Sequence, residues 1–230
     1  MTKNCLTEDR LSDSIYLLQP SRPVLVTTRN PDGSLNVAPF SWLMPVSQNP
    51  PLVGLALLSS AKKRQHTLVN IEREGVFVVN LPGLELAERL VRTSYRYPEG
   101  VNKFEQVDFQ PEPSRCFDLP GIGQCRAHLE CRAAAFHPTG DHTLVIGTVV
   151  AASYDPGLFD DNLMLQLDKT APCVHLRQTR NQEGQAHFFL EPAGVRRVFV
   201  PYDVGSDPSV DVVGPESGAG EKTGKAGCEG

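Results

Sequence analysis

The hydrophobic positions of this chain fall in short runs, most of them too short for helices. Short runs rich in β-branched residues and bounded by Gly, Pro, Asn or Ser are typical of strands. They predict strands at Pro23–Thr28, Ser34–Ala38, Leu52–Leu58, Val76–Leu81, Ala127–Ala135, Thr143–Ala152 and Val198–Tyr202. The first two are joined by Asn30-Pro31-Asp32-Gly33, in which Asp-Gly is a strong hairpin signal.

Helical periodicity is confined to two segments. Thr67–Glu74 has an apolar side and ends before Gly75, and Leu84–Thr93 has apolar residues at helical spacing. Many short strands with two minor helices predict an all-β barrel rather than a βαβ sheet. No Gly-x-Gly-x-x-Gly follows a predicted strand, so a dinucleotide-binding Rossmann unit is not expected.

The composition changes near the end of the chain. Gly205–Gly230 is rich in Gly, Ser, Pro and charged residues and contains only isolated valines. Such a segment buries too little apolar surface to offset the entropy of ordering. We therefore expect one domain over residues 1–204 and a disordered tail over residues 205–230.

Composition and charge narrow the class of protein. The chain has 230 residues, 40% of them hydrophobic and 21% charged, which is typical of a soluble globular domain. Its net charge of −5 argues against non-specific binding to nucleic acid or to anionic membranes. The opening MTKNCLTEDR lacks the apolar core of a signal peptide, and no run approaches the roughly 18 apolar residues of a membrane span. We expect a cytoplasmic protein.

The six cysteines do not form a recognisable ligand set. None belongs to a Cys-x-x-Cys pair, and no zinc-finger spacing with histidine occurs. We expect buried or free thiols and no metal site, with a disulfide or metal framework as the alternative.

A basic turn lies between a predicted strand and a predicted helix. It consists of Ser59, Ser60, Lys62, Lys63 and Arg64, and Thr67 follows at the helix start. A helix N-terminus offers unpaired N–H groups and a positive dipole end, so added cations and hydroxyls favour a phosphate site. The alternative is a solvated loop with Thr67 as the helix N-cap. Sequence spacing leaves both open.

The stretch Ser34–Leu57 violates strand rules in its first half. Asn36, Pro39 and Ser41 interrupt an apolar run, although a strand disfavours Asn and Pro cannot donate to a sheet ladder. Polar groups at these positions suit contacts to a ligand. A bulge at a barrel corner, with Ser41 capping a turn, is the alternative explanation.

Several motifs in this order resemble the flavin reductase-like family of FMN-binding split barrels. They are Asn-x-Ala-Pro-x-Ser at 36–41, Asn-Pro-Pro at 49–51, Thr67-Leu-Val-Asn70-Ile, Phe77-Val-Val-Asn80, Asn102-Lys-Phe, Leu129-Glu-Cys and Gly140-Asp-His142 before Gly147-Thr-Val. The resemblance runs from about residue 20 to about residue 180. One departure is Gln65-His66-Thr67, where the family usually has Lys-Asp-Thr.

The resemblance implies a six-stranded Greek-key barrel that forms a homodimer and holds one FMN per subunit near the dimer interface. It implies that Asn36, Ala38, Pro39, Phe40 and Ser41 lie against the isoalloxazine ring. Ser59 or Ser60 would lie near the ribityl chain, and Lys62, Lys63, Arg64 and Thr67 would hold the phosphate.

Three further residues, and a second role for Ser41, enter through the resemblance. Asn70 and Asn80 are either flavin contacts or structural amides. Ser41 is a candidate donor near the reacting part of the flavin, and His142 is either a turn residue or a catalytic group beside the nicotinamide or flavin. The other five histidines have no interpretable partner pattern.

The implied activity is that of an NAD(P)H-dependent flavin reductase, with NADH or NADPH as co-substrate. Reduced flavin would serve a partner oxygenase or another electron acceptor. Two alternatives remain: a flavoredoxin-type electron-transfer protein without a nicotinamide site, and a non-enzymatic interaction protein that keeps only the barrel.

Overall fold

The chain forms one large antiparallel sheet, two small hairpins and a few short helices. The computed structural model describes residues 3–60, 63–95, 97, 101–181 and 184–190. The strands are β1 (Val24–Arg29), β2 (Leu35–Phe40), β3 (Leu43–Ser47), β4 (Leu52–Ser60), β5 (Lys63–Arg64), β6 (Val76–Leu81), β7 (Pro111–Glu112), β8 (Gly121–Ile122), β9 (Ala127–Thr139), β10 (His142–Tyr154), β11 (His175–Asn181) and β12 (Gly184–Phe189).

The helices are short. The α-helices are α1 (His66–Glu74), α2 (Ala87–Thr93) and α3 (Lys103–Gln106), and 3₁₀ helices span Glu8–Leu18 and Leu84–Leu86. No helix among the described residues is long and apolar enough to cross a membrane.

The order of the strands in the main sheet brings its two edges together. The order is β2-β1-β6-β9-β10-β4-β3, with β5 pairing with β4. Strands β2 and β3 lie at opposite edges, yet only Ser41 and Trp42 separate them in sequence. The sheet must therefore curl until its edges meet at this corner. The main sheet has eight strands in place of the six that the resemblance implied, and two of them, β3 and β5, are short.

Most predicted strands are confirmed with small changes at their ends. The six runs from Pro23 to Ala152 correspond to β1, β2, β4, β6, β9 and β10. The Asp-Gly turn joins β1 to β2 and places Gly33 at a φ of +85°, a left-handed value that glycine adopts without steric cost. The predicted strand Val198–Tyr202 and the predicted tail Gly205–Gly230 lie outside the described residues.

The interpretation of Thr67 as a helix N-cap is wrong. Helix α1 begins at His66, and its N-cap is Gln65. Thr67 is the second helical residue, and its side chain is buried because it faces the sheet. The predicted end is confirmed, since Gly75 takes the left-handed conformation and its N–H donates to the Ile71 carbonyl.

Two apolar clusters cover opposite faces of β1 and β2. The first lies inside the curled sheet and contains Val24, Val26, Leu68 and Ile71. The second contains Leu25 and packs against α2, α3 and β8. Because successive strand residues point to opposite faces, burial on both sides explains the continuous apolar character of β1.

Three cysteines belong to these cores, as the buried-thiol interpretation predicted, whereas Cys116 is disulfide-bonded, as the alternative interpretation allowed. Cys125, Cys131 and Cys173 are buried free thiols. Burial raises the pKa of Cys131 to about 12 and that of Cys173 to about 11. Neither is a thiolate at neutral pH, so neither is an activated nucleophile.

Candidate functional site

The corner where β2 meets β3 opens into a cavity of about 610 Å³. Ser41, Trp42 and Met44 line it from the bend and from β3, and Gly54 and Ala56 line it from β4. A cavity of this size lies within the range of small-molecule sites, about 300–1,000 Å³. The predicted residue Ser41 is thus half-buried at the cavity wall.

Two small residues of β4, Gly54 and Ala56, belong to the cavity lining. A Cβ at Gly54 would lie 3.2 Å from Val46 Cγ1 and 3.3 Å from Leu144 Cδ1, so there is little room for a side chain. Two positions along, Ala56 adds only a methyl group to the same face. Gly54 is thus buried beneath its neighbours, while Ala56 is half-buried and faces the cavity with little bulk.

His142 lies beside this cavity and is held from two sides. Its ring packs on Trp42 with the centroids 4.6 Å apart, and its Nδ1 lies 2.6 Å from Asp141 Oδ1. Because a carboxylate only accepts hydrogen bonds, Nδ1 is the donor in this contact. The hydrogen bond from His142 also lowers the pKa of Asp141. Trp42 thus links the two predicted catalytic residues, Ser41 and His142.

The basic turn adjoins His142 at the end of β4. The Ser59 N–H donates to the Asp141 carbonyl at 2.9 Å, and the Thr143 hydroxyl donates to Ser59 Oγ at 2.8 Å. Ser60 pairs with Lys63 across the turn. Lys62 and the side chain of Lys63 lie outside the described part of the chain.

Arg64 is already engaged in an ion pair. Its NH2 group lies 2.6 Å from each carboxylate oxygen of Glu72 in helix α1. Both side chains are substantially exposed, and exposed ion pairs of this kind contribute only about 0–1 kcal/mol. A stronger anionic ligand could therefore compete with Glu72 for Arg64.

The cavity and the turn lie on one face of β4. Alternation places Gly54, Ala56 and Ser60 on the same side of the strand. At a rise of about 3.3 Å per residue, about 13 Å separates Ala56 from Ser60. A ligand with a planar ring at one end and an anionic group at the other would span this distance.

Three of the predicted flavin-binding residues lie together elsewhere, in a buried hydrogen-bond network. Asn36 Nδ2 donates to the hydroxyls of Thr28 and Thr67, at 3.0 and 3.2 Å. Asn70 Nδ2 donates to Thr28 Oγ1 at 3.1 Å and to Asn30 Oδ1 at 2.9 Å. The network ties helix α1 to the β1–β2 hairpin.

The remaining residues of the Asn-x-Ala-Pro-x-Ser motif have structural environments. Ala38 and Phe40 face the first core cluster together with Asn36, while Pro39 points to the other face of β2. Since β2 is an edge strand, Pro39 leaves one edge position without a donor.

Asn80 is fully enclosed between β1, β6 and β8. Its Nδ2 donates to the Leu25 carbonyl and to Thr27 Oγ1, each at 3.0 Å. Its Oδ1 accepts from the Ile122 N–H at 2.8 Å. Of the two interpretations left open for Asn80, this geometry favours the structural amide.

A second cleft, of about 240 Å³, opens beside the buried network. Asn36, Asn70, His66, Tyr97 and Lys103 line it. Lys103 Nζ donates to the Thr93 carbonyl at 3.3 Å. Burial lowers the pKa of Lys103. No described carboxylate forms an ion pair with it. In the sequence Lys103 occurs only within the Asn102-Lys-Phe motif, and nothing there indicates that it lines a cleft.

Sequence reasoning also missed the outer wall of the cavity. Ile15 and Leu18 of the first 3₁₀ helix and Leu176 of β11 form it. The apolar spacing of Leu11, Ile15 and Leu18 was a signal for the helix. Nothing in the sequence connected that helix to β3.

A family model described as the flavin reductase like domain matches residues 18–174. This match covers more than half of the chain. The chain belongs to the flavin reductase-like family. A family relative from Methanothermobacter thermautotrophicus is 31% identical over 168 residues, which are 71% of this chain and 77% of that protein. A flavin reductase (NADH) from Kitasatospora aureofaciens is 34% identical over 145 residues, covering 62% of this chain and 71% of the relative.

Solved structures show the split-barrel fold of this family member. A protein with a split barrel domain from Shewanella frigidimarina aligns with a TM-score of 0.66 at 20% identity, over 87% of this chain and 96% of its own. Nitrilotriacetate monooxygenase component B from Bacillus cereus aligns with a TM-score of 0.70 at 21% identity, over 86% of this chain and 100% of its own. Flavoredoxin of Desulfovibrio vulgaris aligns with a TM-score of 0.67 at 18% identity, over 89% of this chain and 100% of its own.

The residues at the corner fit a flavin mononucleotide. The small side chain of Ala56 leaves room for a planar ring, and Ser41 and Trp42 offer a hydroxyl and an aromatic face. The serines and the Arg64 cation at the end of β4 suit a phosphate.

Proposed function

We propose that the protein is an FMN-binding oxidoreductase, most specifically an NAD(P)H-dependent flavin reductase. The observation that carries the proposal is the continuous face of β4, which joins the cavity wall at Ala56 to the basic turn at Ser60. The family assignment and the relative named a flavin reductase (NADH) support it. Reduced flavin would pass to a partner oxygenase or another acceptor.

The residues of the chain would divide the work between binding and orientation. Ser41 and the backbone of the bend would hydrogen-bond the ring edge, and Ser59 and Ser60 would lie along the ribityl chain. Lys62, Lys63 and Arg64 would hold the phosphate. The bound FMN supplies the hydride chemistry, while the protein contributes position and electrostatics.

His142 would act at the open side of the ring. Asp141 fixes its tautomer and Trp42 fixes the plane of its ring, so Nε2 presents a lone pair in a defined direction. Nε2 of His142 would accept a hydrogen bond from a nicotinamide amide or from the flavin.

The spectrum of the purified protein tests the proposal. We expect a yellow protein, or one that binds added FMN, whose visible absorption bleaches with NADH or NADPH under anaerobic conditions. Bleaching by dithionite but by neither NADH nor NADPH would identify the flavoredoxin-type alternative. The TM-score of the flavoredoxin structure, 0.67, supports that alternative as well. Failure to bind any flavin would leave the non-enzymatic interaction protein.

The phosphate assignment has its own test. Replacing Lys62, Lys63 and Arg64 with Ala should weaken FMN binding by about ten- to a hundredfold and leave riboflavin binding unchanged, because the two ligands differ only in the phosphate. Isothermal titration of both ligands measures this difference.

Glu72→Gln is the matched variant for that experiment. It releases Arg64 from its ion pair, so FMN affinity should stay equal or rise relative to riboflavin. Equal losses for FMN and riboflavin in the folded triple variant would show that the turn is a solvated loop.

A further inference from the structure

The hairpin of β11 and β12 brings two histidine rings together. His187 Nδ1 lies 3.3 Å from His175 Nε2, and the ring centroids are 5.5 Å apart. A register shift between His175 and Arg177 marks a β-bulge beside the first of the two rings. Bulges often re-aim a side chain next to a functional site. The sequence does not reveal the pair, because twelve positions separate the two residues.

The distance between the two nitrogens fits a shared metal ion. Nitrogens that each lie about 2.0–2.1 Å from a tetrahedral Zn²⁺ are about 3.3–3.4 Å apart. A direct hydrogen bond between the rings is the competing explanation, but 3.3 Å is longer than the range of about 2.7–3.2 Å for N–H···O bonds. In such a bond one ring donates and the other accepts, whereas a metal ion uses a lone pair of each ring.

Both rings can supply a lone pair at neutral pH. Burial lowers the pKa of each imidazole from the ordinary 6.5. Among the described residues, no carboxylate forms an ion pair with either ring. Neutral imidazole is the form that binds metal ions. The pair can therefore bind a cation without first losing a proton to solvent.

The surroundings of the pair hold it in place and leave it open to solvent. Two backbone hydrogen bonds of 2.9 Å join His175 to Ser21, and the Phe189 ring lies 5.1 Å from the His175 ring between centroids. His175 lines the cavity of about 610 Å³, and His187 lines a groove of about 490 Å³ beside α2. An ion can therefore reach ligands whose positions are already fixed.

We propose that His175 Nε2 and His187 Nδ1 together bind a divalent transition-metal ion that accepts imidazole ligands, with Zn²⁺ as the reference ion. Imidazole suits Zn²⁺, Ni²⁺ and Cu²⁺, whereas Mg²⁺ and Ca²⁺ prefer oxygen ligands. No third histidine, cysteine or carboxylate in the described part of the chain completes the site, so water or a small ligand would fill the other positions. The metal would tie β11 to β12, and the proposal does not depend on a bound flavin.

Calorimetric titration of the full chain with ZnCl₂, after treatment with a chelator, tests the proposal. We expect one Zn²⁺ per chain and no binding of Mg²⁺. His187→Gln and His175→Gln each remove one ligand and should lower Zn²⁺ affinity about tenfold or more. His137→Gln, at an exposed histidine of β9, is the matched control and should leave the affinity unchanged.

Co²⁺ gives a second readout, which separates the two histidines from the exposed thiol of Cys5. Tetrahedral Co²⁺ with nitrogen and oxygen ligands absorbs visible light, and a thiolate ligand adds a charge-transfer band in the near ultraviolet. We expect the visible bands alone, kept in Cys5→Ser and lost in His187→Gln. Circular dichroism verifies the fold of each variant.

Three outcomes would overturn the inference: no Zn²⁺ binding by the wild type, an unchanged Zn²⁺ affinity in either folded glutamine variant at the pair, or a thiolate band in the Co²⁺ spectrum of the wild type. Each would leave the pair as a hydrogen-bonded contact of the hairpin only. If one glutamine variant misfolds, the other variant and the Co²⁺ spectrum of the wild type still decide.

Discussion

At the scale of single residues, the polar members of the sequence motifs separate into two groups. Ser41 and His142 adjoin the cavity, whereas Asn36, Thr67 and Asn70 bond mainly to one another and to their neighbours in the interior. The sequence marks both groups in the same way, as polar residues in apolar surroundings. Their side-chain partners decide which group is structural.

Thr67→Val should therefore reduce the stability of the protein. The variant removes the acceptor of one Asn36 N–H in a site where Thr67 is 1% exposed, and an unpaired buried donor costs about 1–3 kcal/mol. Urea unfolding measures the loss, and Thr67→Ser, which keeps the hydroxyl, is the control. A stable Thr67→Val variant that loses FMN affinity but not riboflavin affinity would assign Thr67 to the phosphate site.

At the scale of secondary-structure elements, the strands β6, β9 and β10 approach each other closely at a glycine. A Cβ at Gly147 would lie 2.5 Å from Phe77 Cζ and 3.4 Å from Cys131 Cβ. Phe77 is fully buried, so its ring has little freedom to move. The glycine in β10 is a packing requirement of the barrel interior.

Gly147→Ala should destabilise the protein by about 1–3 kcal/mol through overpacking. The cost should shrink when Phe77→Leu is combined with it, because the smaller side chain vacates the space near position 147. A double-mutant cycle on urea unfolding measures this coupling. Additive effects would show that Phe77 does not limit the site.

The hairpin of β11 and β12 contains a histidine pair that should make stability depend on pH. His187 Nδ1 lies 3.3 Å from His175 Nε2, and burial lowers the pKa of both rings from the ordinary 6.5, with the neighbouring His187 adding to the effect on His175. Below pH 6.5 the unfolded chain binds more protons at these sites than the folded chain, so folding free energy is lost as the pH falls.

Urea unfolding at about pH 7.5 and about pH 5.5 measures this loss. His187→Gln removes one titrating ring and should reduce the acid sensitivity, whereas the same change at the exposed His137 should not. An identical acid loss in His187→Gln and in the wild type would assign the sensitivity to other groups.

At the scale of the whole molecule, the edge of the main sheet formed by β3 has no described strand paired along its outer side. Strand β3 is an edge strand, and Met44 and Val46 on it are 53% and 42% exposed. Exposed apolar edge strands invite pairing with another chain. The homodimer implied by the family resemblance would use this edge.

Light scattering should therefore report about twice the chain mass of 25.2 kDa. Val46→Lys places a charge on the edge and should shift the mass toward that of a single chain. Tyr95→Lys, at another exposed position after α2, should leave the dimer intact. A flavin-loaded wild type of single-chain mass would contradict the dimer.

The sequence by itself determined six strands of the main sheet, the helical segments of α1 and α2, and the family. The β-branched runs predicted six of the strands, Asp32-Gly33 predicted the first hairpin, and Gly75 predicted the end of α1. These features depend on local preferences of the backbone, which neighbouring residues specify. The ordered motifs between about residue 20 and about residue 180 identified the family for the same reason, since motif order is a property of the chain.

Only the tertiary structure decided which residues meet. Trp42 reaches His142 because β4 lies between β3 and β10, and the first 3₁₀ helix forms a cavity wall far from its own place in the sequence. Thr67 and Asn80 are polar residues like Ser41, yet packing buries their side chains, where they form hydrogen bonds to other buried side chains. Burial and hydrogen bonding between distant segments arise when the sheet curls, and residue type alone does not encode them.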